Sequence, residues 1–244
     1  MKKIFLILSA AVVLSFSASA QDAYWRTSAD IDLSERVTEY DGKISQPRVY
    51  EQKGGYRLIL RPVARTENGM RLRATEIYIE KDGKLRLLDD RDECSDFLVN
   101  KYMNRYNGVD FDDYFIITIY DGAYRHSLYE KSSGKLILRY ENSGEPIHWG
   151  NLLIYNDGEG ENEAAYLFDL KTLRKYPLAL YLEAERKKMT LWGSMHWTTA
   201  FKILSATPKK ATVEFGGFYK PLFDENGEFA DGEDYSFTFD VELN

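Results

Sequence analysis

The chain has 244 residues, of which 44% are hydrophobic and 29% charged, with 17 Gly and 6 Pro. These proportions exclude a disordered, collagen-like or membrane-embedded chain. The formal charge of -7 argues against nucleic acid or an anionic membrane as main partner, since both are gripped by clustered Lys and Arg.

The first twenty residues, MKKIFLILSAAVVLSFSASA, hold Lys2 and Lys3, an apolar run from Ile4 to Leu14, and the small residues Ala18-Ser19-Ala20 before Gln21. That order reads as a secretory signal peptide cut after Ala20. The apolar run falls short of the roughly 20 residues that span a bilayer, and no later run approaches that length. The expected destination is therefore a bacterial periplasm or the exterior, with residues 21–244 forming one domain. Loss of Lys2 and Lys3 takes the mature charge to -9.

Strand signals dominate the mature chain. Short apolar, β-branched or aromatic segments occur at Tyr56–Leu60, Arg73–Glu80, Lys84–Leu88, Tyr114–Tyr120, Lys135–Tyr140, Leu152–Tyr155, Ala165–Asp169, Phe201–Leu204 and Ala211–Phe215, all with strand propensity. The clearest strand runs from Tyr235 to Leu243, where Tyr235, Phe237, Phe239, Val241 and Leu243 alternate with Ser236, Thr238, Asp240 and Glu242, so that one face is buried and one wet.

Between these segments stand Asp41-Gly42, Gly54-Gly55, Asn68-Gly69, Asp82-Gly83, Asp121-Gly122, Ser133-Gly134, Asp157-Gly158, Asn226-Gly227 and Asp231-Gly232. Glycine after Asn or Asp supplies the positive φ of tight hairpins. Strand and turn alternate without long helices, which predicts an all-β, antiparallel meander, propeller-like or built as a sandwich or barrel. Two short helices are predicted: one capped by Ser95 and passing Leu98, Tyr102 and Tyr106 to Gly108, and one over Leu178–Met189 with a basic end at Arg186, Lys187 and Lys188.

Leu128-Tyr129-Glu130-Lys131 followed by Ser133-Gly134-Lys135-Leu136 returns 39 residues later as Leu167-Phe168-Asp169-Leu170-Lys171 followed by Leu173-Arg174. A looser copy is Glu80-Lys81-Asp82-Gly83-Lys84-Leu85. An offset near forty is about the length of a four-stranded propeller blade, and the pattern resembles the outer hairpin of such blades.

Chemistry-bearing residues are sparse. Cys94 is the only cysteine, so no internal disulfide forms, and its neighbours Asp92, Glu93 and Asp96 disfavour a reactive thiolate. The three histidines, His126, His148 and His196, would make a metal site only if folding gathered them, because their separations lack local ligand spacing. Acidic clusters at Asp89–Glu93, Asp110–Asp113, Asn156–Glu161 and Asp224–Gly227 do not complete a calcium loop. No G-x-S-x-G, P-loop, G-x-G-x-x-G or H-E-x-x-H pattern occurs.

The aromatic content is the remaining signal. With 18 Tyr, 13 Phe and 4 Trp, the expected ligand-contacting side chains are Trp149, Trp192, Trp197, Tyr120 and Tyr124, because Tyr and Trp combine a flat apolar face with a polar handle. The expected function is an exported binding protein without a catalytic centre, holding a protein or glycan of the cell envelope through a Tyr-rich β surface. The alternatives are an inhibitor or immunity protein that occludes a lytic enzyme's basic cleft, and a hydrolase with dispersed carboxylates or a three-His metal centre. No cofactor is specified by any of these patterns.

Overall fold

The computed structural model describes residues 25–27, 31–34, 36–38, 44–67, 70–92, 106–120, 124–142, 144–157, 164–181, 201–223 and 225–244. With 66% strand against 4% helix, the protein is all-β and antiparallel, as the alternating patterns predict. Among the described residues no helix is long and apolar enough to cross a membrane. The predicted leader, Cys94, the predicted helix over 95–105 and most of the one over 178–189 lie outside the described residues. Residues 106–108 are not helical, and 179–181 are helical.

Seventeen strands are present among the described residues: β1 (Trp25–Thr27), β2 (Val37–Thr38), β3 (Ile44–Ser45), β4 (Arg48–Gln52), β5 (Tyr56–Glu67), β6 (Met70–Lys81), β7 (Lys84–Asp92), β8 (Tyr114–Tyr120), β9 (Tyr124–Glu130), β10 (Leu136–Asn142), β11 (Ile147–Trp149), β12 (Leu152–Asp157), β13 (Ala164–Asp169), β14 (Arg174–Pro177), β15 (Phe201–Thr207), β16 (Lys210–Phe223) and β17 (Phe229–Glu242). They form sheets ordered β1-β7-β6-β5-β4, β10-β9-β8, β11-β12-β13-β14, β15-β16-β17 and β2-β3. Apart from β1, every sheet is a run of sequence neighbours, the short-range connectivity that hairpin turns impose.

The chain divides into two compact units, one of residues 1–102 with 130–135 and one of residues 103–129 with 136–244. In the first unit, Ile59, Tyr78 and Leu85 project from β5, β6 and β7 onto Ile31 and Leu33. The same sheet carries cross-strand charge pairs, Arg57 with Glu80 and Arg61 with Glu76, the latter at 2.7 Å. Asp82 and Gly83, at φ 52° and 76°, make the two-residue turn between β6 and β7, where both residues need positive φ.

The second unit is layered. Strand β12 is an unbroken apolar run, Leu152-Leu153-Ile154-Tyr155, buried at every one of these positions. Alternation sends Leu152 and Ile154 into a cluster with Phe201, Ile203, Val213, Phe215 and Val241 of the β15–β17 sheet. It sends Leu153 and Tyr155 into another cluster with Tyr114, Ile116, Leu128 and Tyr140 of the β8–β10 sheet. Strand β13 divides in the same way, Ala165 and Leu167 to one side, Phe168 to the other. The two central strands of the β11–β14 sheet, β12 and β13, are thus covered on both faces, and β12 reads as a continuous rather than an alternating apolar run for that reason.

The C-terminal alternation is realised in β17, where Ser236, Thr238, Asp240 and Glu242 are exposed and Val241 is buried. One expected turn is corrected: Asp231-Gly232 lies inside β17, opposite Leu222 and Pro221. The reversal occurs instead around Asn226-Gly227, with Gly227 at φ 79°, because fourteen-residue strands carry the pairing past an Asp-Gly pair.

Candidate binding surface

Of the sequence-expected residues, Tyr124 and His126 lie against each other. His126, on β9, is buried in the second unit, with Thr118 Oγ1 2.9 Å from Nδ1 and the Gly144 carbonyl 3.0 Å from Nε2. A carbonyl only accepts, so Nε2 carries the proton, Nδ1 accepts from the Thr118 hydroxyl, and that oxygen in turn accepts from Asn107 Nδ2 at 3.2 Å. Asn107 also donates to Glu145. The ring stacks on half-buried Tyr124 at 6.4 Å and lies 4.8 Å from Tyr140. Desolvation depresses its pKa to about 4, so it is a neutral imidazole at physiological pH.

A hydroxyl donating to an imidazole has the spacing of a nucleophile and its base. Thr118 and His126 are both buried, however, and a base this weak cannot draw a proton from a hydroxyl near neutrality. The arrangement fastens the loop at Gly144 and Glu145 to β8 and β9. His148, on β11, is exposed and meets Phe111 edge-on at 5.6 Å. His196 lies outside the described residues, among which no group of three or more His, Cys, Asp or Glu could hold a metal ion.

Trp192 and Trp197 also lie outside the described residues, and Tyr120 is described by its backbone alone. Several other tyrosines are core: Tyr78, Tyr114, Tyr129, Tyr140 and Tyr155 are buried. Trp149 is different, with 47% of its surface exposed at the end of β11. The turn after it is fixed by Asn151, which donates to Asp112 at 3.1 Å and accepts from Leu170 N at 2.9 Å. That last bond joins the β11–β12 turn to the β13–β14 turn at one end of the middle sheet.

The β13–β14 turn is the second half of the repeat seen in the sequence, and the correspondence reaches individual bonds. In the first copy the Ser133 hydroxyl donates to Glu130. In the second the Thr172 hydroxyl donates to Asp169 at 2.8 Å, 39 residues on at both ends. Each turn then places its next residue in the left-handed region, Gly134 at φ 65° and Leu173 at φ 56°. Glycine is the usual occupant because it has no Cβ to clash. At Gly134 a Cβ would come within 2.5 Å of Leu88 Cδ2, so any other residue there must displace the Leu88 and Arg86 side chains. Leu173 instead carries a branched side chain that is 54% exposed.

Sequence reasoning missed Leu173. The signal was available: aligning the two copies sets leucine opposite glycine. What the alignment could not say is that both residues share one backbone conformation.

Neither a protein-family model, nor a curated protein, nor a solved structure matches the chain.

Proposed function

We propose that this is an exported binding protein that holds a protein partner through the turn end of the β11–β14 sheet, with Leu173 and Trp149 as contact side chains. The observation that carries this reading is Leu173. An L-residue in the left-handed region costs about 1–2 kcal/mol, and a half-exposed leucine recovers little of that by burial. Such a residue is expensive to folding, and backbone strain of this kind collects at ligand-contacting positions. Trp149, a large rigid apolar face at the same end of the sheet but on its other edge strand, has the character of an interface anchor. The leader-like N-terminus supports export.

The test separates stability from binding. Leu173→Gly relieves the strain and is expected to raise unfolding stability by about 1 kcal/mol, read from the denaturant midpoint. The same variant, and Trp149→Ala, are expected to lose proteins of a cell-envelope extract that the unaltered chain captures. Identical captured sets for all three proteins would remove this surface from the function. Sugar binding on a glycan array that is lost in Trp149→Ala and kept in Leu173→Gly would transfer the reading to a glycan.

A further inference from the structure

The second unit carries 13 Lys and Arg against 22 Asp and Glu, a net -9, whereas the first carries 19 against 17. Within that acidic unit one stretch has the opposite character. Residues 170–182 contain Lys171, Arg174 and Lys175 and no acid. They include the outermost strand of the middle sheet, β14, which pairs only with β13 among the described residues. Two exposed leucines accompany the cations, Leu173 between Lys171 and Arg174 and Leu180 beyond β14, the latter 71% exposed.

Among the described residues the nearby acids Asp169 and Asp157 are already engaged. Asp169 accepts from Lys171 N at 2.9 Å and from the Thr172 hydroxyl. Asp157 lies 3.4 Å from Lys175 Nζ, whose ammonium also sits 5.2 Å from the Tyr155 ring centre. The side chains of Lys171 and Arg174 are exposed and have no ion-pair or hydrogen-bond partner among the described residues. Edge strands are commonly blunted by Lys and Pro, and Lys175 with Pro177 meets that need here. Neither Leu173 nor Leu180 serves it.

We infer that the β14 edge is a docking strip for an acidic, leucine-rich segment of a partner protein, its carboxylates met by Lys171 and Arg174 and its apolar side chains by Leu173 and Leu180. This deepens the function proposed above and rests on it. Charge complementarity selects the occupant. A short acidic segment meets the local cations within about one Debye length, roughly 8 Å at physiological salt. An extended anionic membrane would also meet the repulsion of the whole acidic unit, against only three cations. Pro177 lacks an N–H, so recognition runs through side chains rather than through an added strand.

The probe is a short fluorescent peptide alternating Leu with Glu, titrated into the full chain and followed by anisotropy, with its Leu-Lys counterpart as control. Binding of the Glu peptide alone, weakened about tenfold or more by Lys171→Glu with Arg174→Glu and also by raised salt, is the expected result. No binding of the Glu peptide, equal binding of both peptides, or indifference to the double reversal in a variant whose circular dichroism is unchanged would overturn it. The two proposals fail separately. If Leu173→Gly and Trp149→Ala abolish capture while the Glu peptide is ignored, the acidic-segment inference falls and the binding surface stands. If the peptide result holds while capture is unaffected by either variant, the Trp149 and Leu173 contact falls instead.

Discussion

His126 shows how a residue with catalytic credentials becomes structural. Both ring nitrogens are committed, the ring is buried, and its pKa is depressed to about 4, against about 6.5 in the unfolded chain. The unfolded state therefore takes up a proton first as pH falls, and stability drops with it. The contribution of neutral His126 is fully present above about pH 6.5 and is lost progressively toward pH 4, by up to about 3 kcal/mol. Urea midpoints measured across that interval are expected to fall, and His126→Phe to flatten the fall. A variant with an unchanged slope would show that the proton is taken up elsewhere. The sequence displays this histidine but not its role, because nothing in Tyr124-Arg125-His126-Ser127 reveals that Thr118 and Gly144 close around it. Trp149 is legible in the sequence as a Trp beside a histidine, but its 47% exposure is visible only in the fold. The tyrosines mislead as a surface signal, since β-rich cores recruit the same residues.

At the scale of the element, the hairpins are legible because two-residue periodicity and Asx-Gly turns are local. Strand β8 matches its predicted Tyr114–Tyr120 bounds, and the three copies of the sequence repeat fall on the β6–β7, β9–β10 and β13–β14 hairpins. The short strands β1 to β4 are not legible, because two to five residues cannot display a period; β1 and β4 form on the longer β7 and β5, and β2 and β3 pair with each other. Turn positions of similar backbone yield a controlled comparison. Gly134 and Gly150 have φ 65° and 57°, but a Cβ at Gly150 meets nothing within 4 Å whereas one at Gly134 collides with Leu88 and Arg86. Gly150→Ala is expected to cost about 1 kcal/mol for the backbone alone, and Gly134→Ala about 1 kcal/mol or more beyond that for the displaced side chains. Equal losses in thermal unfolding would mean that Leu88 and Arg86 yield freely. In β12, Leu153→Ala and Ile154→Ala open cavities in different clusters, and each is expected to cost about 3 kcal/mol in denaturant unfolding. A near-neutral result for either would contradict the burial of β12 on both faces.

For the whole molecule, composition limits the partners more than it reveals the architecture. The acidity is unevenly held: the second unit carries a net -9 (13 against 22) and the first a net +2 (19 against 17). Duplex DNA is expected to show no mobility shift with the chain at physiological salt, since nonspecific binding needs many phosphate-neutralising cations on one face; a shift would show that the Lys171–Lys175 strip accepts any polyanion. That exposed strip lies in the most acidic unit, and no composition average could reveal it. It emerges only once β14 is known to be a sheet margin.

The two dry faces of β12 also set the order in which the second unit opens. Because its neighbours shield it from opposite directions, water reaches this strand only after an outer sheet has departed. The unit must therefore come apart from its flanks inward, leaving the β12–β13 pair as the remnant that any half-opened form retains.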